Sequence, residues 1–233
     1  PDNYNNEIGV PMTILSMEPN TEVLVLEMGM DRPGQLHALS SLAEPDVAVI
    51  TMIGEAHIEF FKTRAKIADA KMEITDGLKE DGTFIFNGDE PLLVSRAKQV
   101  TQSQETFGLH PENTLFAHSI SGHRNHTEFT VEQWPELTFS IPIMGEYNVV
   151  NALAALLVGR RFHVKPEAMQ KALVHFQVTA NRTQWLIGDV GEQILSDVYN
   201  ANPTAMKAVI HDFSEFQTAG RHIAVLGDML ELG

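Results

Sequence analysis

Short apolar runs alternate with stretches of helical periodicity along most of the chain. TEVLVLEMG (21–29) and DVAVITMIG (46–54) are almost continuously apolar and each ends in glycine. That pattern predicts strands covered on both faces. TFIFN (83–87) predicts a further short strand. Between the first two runs Pro33 opens a helical pattern, QLHALSSLAE, that stops at Pro45. In 63–78 the residues Ile67, Ala70, Ile74 and Leu78 share one helical face, and 90–100 predicts another helix. Strands alternating with helices imply βαβ units and an α/β fold with a mostly parallel sheet.

From 105 to 143 the pattern shortens into alternating segments such as HTEFTVEQW, which predict a small antiparallel subsheet. Gly145 opens a strong helix, NVVNALAALLVGRRF, and PEAMQKALVHF follows with Pro166 in its first turn. The polar interval 177–182 lacks periodicity and marks a boundary, giving domains 1–180 and 181–233. Beyond it come strands in TQWLIGDV and QILSDVY, a helix over 203–216 and a strand in RHIAVLG (221–227). The terminal GDMLELG then reads as a strand end, a glycine turn and a helix N-terminus capped by Asp228.

Composition narrows the function classes. With 43% hydrophobic and 20% charged residues the 233-residue chain is ordinary for a globular protein. No apolar run approaches the ~18–20 residues of a membrane span. The absence of cysteine excludes disulfides and thiolate metal ligands, and is in keeping with a cytoplasmic setting. A net charge of −15 argues against nucleic-acid binding, which needs basic patches. A nucleotide substrate stays compatible with that charge if a cation offsets the phosphates locally.

Several residues carry candidate chemistry. Glu27 closes an apolar run and His57 follows the next one, in GEAHIEFF, where ligands gather in open α/β sheets. A carboxylate and an imidazole there suit a shared divalent ion; they suit equally a loop-bound carboxylate and a solvated histidine. Lys71, in IADAKMEI, reads as a helix lysine paired with Asp69 or Glu73. In GEYNVVNALAA (145–155), Asn148 and Asn151 share one helical face and could present amides to an adenine edge, or simply cap and solvate the helix. Arg182 and Asp197 flank the boundary and, read by themselves, suggest a salt bridge across it. NGDEP (87–91) is an ordinary turn sequence.

SDVYNANPT (196–204) and GDMLELG (227–233), in that order and spacing, resemble the Mur ligases, the ATP-dependent ligases that build the bacterial cell-wall peptide. LEMG, EAHIEFF, the Ala70–Lys71 pair, GEYNVVNALAA and NNEIGVPMT (5–13) resemble further segments of that family. By this resemblance Glu27, His57 and a carbamylated Lys71 bind Mg²⁺. Asn148 and Asn151 would lie beside the adenine, Arg182 at the ATP phosphates, Asp197 at the ribose, and Asn87 facing the nucleotide. Asn5 and Asn6 would lie near a nucleotide-sugar substrate, with Tyr199, Asn200 and Asn202 in the segment specific to the family member that adds a dipeptide. Lys62 and Asn181 depart from the family pattern, each standing where relatives commonly have glycine.

The resemblance implies the central domain of a P-loop-type ATPase followed by the beginning of a Rossmann-like domain. Its reaction would join D-alanyl-D-alanine to UDP-N-acetylmuramoyl-tripeptide with ATP and Mg²⁺, in a cytoplasmic monomer. A sister ligase that adds one amino acid, of the Mur or folylpolyglutamate type, is the nearest rival; a non-catalytic binding module is the other. No G-x-x-x-x-G-K-[ST] loop occurs in the chain, which therefore reads as an internal piece expected to be inactive alone.

Overall fold

The structure, a computed structural model, describes residues 4–179 and 181–232. Ala180, at the expected domain boundary, and Gly233, the last residue of the GDMLELG motif, lie outside the described residues.

The central feature is a six-stranded sheet in sequential order: β1 (Val47–Ile50), β2 (Thr83–Asn87), β3 (Ser103–Gly108), β4 (Leu115–Gly122), β5 (Thr127–Val131) and β6 (Thr138–Ile141). β1 to β4 pair in parallel, whereas β4–β5 and β5–β6 are antiparallel. The expected mostly parallel sheet with an antiparallel extension is thus present. One detail differs: β3, most of which lies in the interval expected to form the antiparallel subsheet, continues the parallel ladder of β2. Alternation reports which face is buried, and that is the same for either strand direction.

Helices cover both faces. On one side α6 (Glu146–Arg161) and α7 (Pro166–Val174) pack Val149, Leu153, Leu157 and Met169 against Ile85, Phe107, Phe129 and Phe139. On the other, α3 (Ile58–Phe61), α4 (Arg64–Met72) and α5 (Pro91–Ala97) bring Phe61, Ile67 and Leu93 against Ala48, Phe84 and Phe86. β2 shows why its sequence is apolar throughout: Phe84 and Phe86 face one layer and Ile85 the other, all buried. Helix starts follow local chemistry. Thr63 accepts the Lys66 N–H at the head of α4, and Glu90 accepts the Leu92 N–H before Pro91.

A satellite cluster joins Val10 of α1 (Gly9–Leu15) to Leu36 and Leu39 of α2 (Gln35–Ala43), with Leu26, Met28 and Met30 packed against it. Beyond residue 180, β7 (Gln184–Ile187) and β8 (Gln193–Ser196) form an antiparallel hairpin beside α8 (Pro203–Glu215). Among the described residues no helix is long and apolar enough to cross a membrane.

Three expectations fail. The run 21–29 makes no ladder, so Glu27 does not end a strand, and Val25 is 84% exposed. Among the described residues the run 221–227 likewise joins no ladder, with Val225 94% exposed beside a cavity of about 1060 Å³ lined by Trp185, Phe213 and Leu226. No helix opens in 227–232, so Asp228 caps none. The physical reason is common to the first two. A strand exists only where a neighbouring strand exchanges its backbone hydrogen bonds; among the described residues the run 21–29 makes one backbone bond to a distant segment, from Gly29 to the Asn5 carbonyl, and 221–227 makes none.

Candidate active site

Lys71 stands in the last turn of α4 and donates to the Met52 carbonyl, 3.0 Å away, just beyond the carboxyl end of β1. Arg64, at the head of the same helix, donates to the Ile53 carbonyl at 2.9 Å and to Glu90 at 2.6 Å. α4 therefore tethers the loop after β1 at both ends, supplying donors that the ladder no longer provides. Neither Asp69 nor Glu73 pairs with Lys71: Asp69 takes Arg96, and Glu73 accepts the Gly34 N–H. Burial pushes the Lys71 ammonium below the ordinary lysine range.

His57 takes a left-handed backbone (φ 62°) at the N-cap position of α3, makes no side-chain capping bond there, and turns its ring Nδ1 toward the Glu231 carboxylate. The Glu59 N–H donates to the Glu231 carbonyl at 2.9 Å, and the Thr204 hydroxyl donates to Glu55 at 3.2 Å. The two motif segments past residue 196 thus both meet the short stretch 55–59. Lys62, the departure from the family pattern, adopts φ 67°, a conformation in which glycine costs least.

Glu27 is exposed and accepts the Asn5 amide at 3.0 Å, while the Asn5 carbonyl accepts the Gly29 N–H at 2.7 Å. Asn6 turns its side-chain oxygen to the Ile8 and Gly9 N–H groups. Met30 packs on the cluster that includes Ile53 and Phe61, which sets the 27–31 segment beside the loop after β1. The Arg32 guanidinium, and more weakly His57, hold the Asp31 carboxyl below its usual range. Glu27, His57 and Lys71 each have their own partner; among the described residues no hydrogen bond or ion pair joins one of the three to another.

A second group lies where α6 meets the β7–β8 hairpin. Asn148 donates to the Met144 carbonyl at 2.7 Å, and Asn151 is exposed one turn on. The neighbouring Tyr147 hydroxyl reaches Thr183 Oγ1 at 3.3 Å, and Asp197 accepts the Thr183 N–H at 2.9 Å. Arg182 does not form the salt bridge its position suggested. Its guanidinium instead lies 4.2 Å over the Tyr199 ring. Arg182, Asp197 and Tyr199 are therefore brought together, while Asn200 bonds the next backbone N–H and Asn202 caps α8 through the Ala205 N–H. Asn87 accepts the Asp89 N–H, closing a turn that Asp89 braces by accepting from Leu109, His110 and Asn113.

Sequence reasoning overlooked Glu55, Glu231, Tyr147 and Thr183. All but Thr183 lie inside motifs already singled out, where the named neighbours drew the attention. The donor chemistry fits a divalent cation. Glu27 offers a carboxylate and His57 an imidazole. A lysine with a lowered pKa is more often the neutral amine, the form that reacts with CO₂ to give an anionic oxygen ligand.

Comparisons with known proteins identify the family. A Mur ligase middle domain model matches residues 1–159, and a model described as Mur ligase, glutamate ligase domain matches residues 181–233. The chain is 46% identical over 231 residues to the UDP-N-acetylmuramoyl-tripeptide–D-alanyl-D-alanine ligase of Bacillus subtilis, covering 99% of itself and 50% of that protein. The Escherichia coli enzyme of the same name is 33% identical, with 51% of its length covered. Among solved structures, MurF ligase from Thermotoga maritima in complex with ADP superposes with a TM-score of 0.87 at 30% identity, covering all of this chain and 53% of that one. MurF from Acinetobacter baumannii gives 0.87 at 27% identity, covering 93% of this chain and 48% of that one. The chain spans about half the length of the curated relatives it matches.

Proposed function

Because the chain belongs to the Mur ligase family, we propose that it carries the central ATP-binding domain (1–180) and the beginning of the C-terminal domain (181–233) of an ADP-forming ligase. That enzyme joins D-alanyl-D-alanine to UDP-N-acetylmuramoyl-tripeptide, as a monomer in the bacterial cytoplasm. The observation that carries the reading is the 46% identity, over 99% of the chain, to an enzyme named for that reaction. The meeting of Glu55 and His57 with Thr204 and Glu231 supports it, because it draws the family's separate motifs to one place.

In this reading a tripeptide carboxylate oxygen attacks the γ-phosphorus of ATP, the bond to the β,γ-bridging oxygen breaks, and ADP leaves. The dipeptide amine then attacks the acyl carbon; the carbon–oxygen bond to phosphate breaks, and the nitrogen loses a proton. Glu27, His57 and carbamylated Lys71 are the residues that would hold Mg²⁺. When bound, that ion neutralises charge on the phosphates. Asn148 and Asn151 lie at the adenine, Arg182 at the phosphates, Asp197 at the ribose and Asn87 facing the nucleotide. Asn5 and Asn6 border the nucleotide-sugar, and Tyr199, Asn200 and Asn202 the dipeptide side.

These residues alone contain no phosphate loop, so the 233-residue protein by itself should release no ADP above background. Replacing the matching half of the Bacillus subtilis relative with this chain tests the substrate assignment. The chimera should form ADP only with both the tripeptide nucleotide and D-alanyl-D-alanine. Turnover with a single amino acid in place of the dipeptide would assign the chain to a sister ligase.

A further inference from the structure

We propose that His123, His126 and Glu128, at the turn between β4 and β5, form a binding site for a divalent transition-metal ion of the zinc class. The site is independent of the nucleotide reading above. Nε2 of His123 lies 3.9 Å from one Glu128 oxygen, and Nε2 of His126 lies 3.7 Å from the other. One ligand atom from each of the three residues falls within 4.8 Å of the others. The two imidazole rings stack with centroids 4.4 Å apart, and Ser121 Oγ sits 3.3 Å from His123 Nε2.

The hairpin explains why a H-x-x-H-x-E spacing converges. The His123 N–H donates to the His126 carbonyl at 2.8 Å, which closes the turn and sets both rings side by side. Pairing of Ser121 with Glu128 brings the carboxylate up from β5 next to them. Tetrahedral zinc with bonds of about 2.0–2.1 Å separates its ligand atoms by about 3.3–3.4 Å. The two histidine–carboxylate separations, 3.9 and 3.7 Å, exceed that by a few tenths of an ångström, and the full set of three atoms is held within 4.8 Å, a gap that side-chain rotation of these unburied groups can close without moving the turn. Two imidazoles and one carboxylate suit zinc, cobalt or nickel, whereas Mg²⁺ prefers an all-oxygen shell.

The position gives the site a consequence. Arg124, between the two histidines, lies 5.2 Å over the Trp185 ring and 5.8 Å over Phe216. An ion bridging His123 and His126 would pin the turn from which Arg124 reaches these rings, and so stiffen its contact with β7 and the end of α8.

The test is calorimetric titration of the untagged, chelator-treated chain with Zn²⁺, with Co²⁺ absorption as a second readout. The expected result is saturable Zn²⁺ binding that is weakened roughly tenfold or more by His126→Ala. The conservative Glu128→Gln should weaken it in the same direction with an unchanged circular dichroism spectrum. Arg124→Ala, which removes no ligand, should leave Zn²⁺ affinity within about twofold and reduce the Zn²⁺-induced change in tryptophan fluorescence. Co²⁺ should give the intense visible bands of a low-coordinate site. The proposal is overturned if the wild-type chain binds Zn²⁺ no tighter than about 1 mM, or if His123→Ala/His126→Ala retains wild-type stoichiometry and affinity.

Discussion

The hydroxyl of Tyr147 lies 3.3 Å from Oγ1 of Thr183, and this contact ties the first turn of α6 to the β7–β8 unit. It depends on Gly145, whose φ of 106° turns the chain into α6 and whose missing side chain leaves room for the Tyr147 ring. Tyr147→Phe should cost about 0.5–1.5 kcal/mol, the net value of one hydrogen bond. Gly145→Ala should cost about 1–3 kcal/mol in backbone strain and in addition displace the ring. Urea denaturation of the two variants checks both values. Equal effects would mean that Gly145 serves no purpose beyond the bond itself.

Asp212 faces the same junction with its Oδ2 buried and without a hydrogen-bond partner among the described residues. Burial is the main cause that pushes its carboxyl above the ordinary carboxylate range. The folded state therefore binds this proton more tightly than the unfolded chain, and stability falls as pH rises from 3.8 through the folded value. Asp212→Asn should raise the unfolding free energy at pH 7 and give no gain below pH 3.8, in denaturation curves taken across that range.

Lys71 should react with amine reagents at lower pH than Lys79. Burial lowers the first, whereas the Asp46 hydrogen bond raises the second. Competitive labelling followed by mass spectrometry should place the Lys71 midpoint below that of Lys79. The reverse order would remove the argument for a reactive neutral amine at the end of β1.

Leu153 and Val25 are both apolar, yet their truncations should diverge. Leu153 is fully buried between α6 and the sheet, so Leu153→Ala should cost about 2–5 kcal/mol. Val25 is 84% exposed in an unpaired run, and Val25→Ala should stay within about 0.5 kcal/mol. A large loss at Val25 would show that the run forms a covered strand in solution.

Most of the helices, though not α1 or α3, were legible because their signals are local. Thr63, Glu90 and the Pro166 start act within one turn, and the apolar faces of α4 and α6 repeat at helical spacing. β2 was legible because a strand sandwiched between two helical layers must be apolar throughout. The runs 21–29 and 221–227 carry the same apolar signature without forming strands, since composition records a preference for burial and cannot record whether a partner is present. Arg182 was misplaced for a related reason. Charge suggested Asp197 as its partner, but only folding brought Tyr199 under the guanidinium.

The residues by themselves determined the α/β class, the positions of α2, of α4 to α8 and of most strands, and the motifs that mark the family, whereas α1 and α3 were not predicted. Tertiary structure decided which side chains meet: Glu231 with His57, Thr204 with Glu55, Tyr147 with Thr183, and His123 and His126 with Glu128. Periodicity and capping are written within a few positions of the chain. A contact such as Thr204 with Glu55, 149 residues apart, arises only once the packed layers fix where each loop emerges.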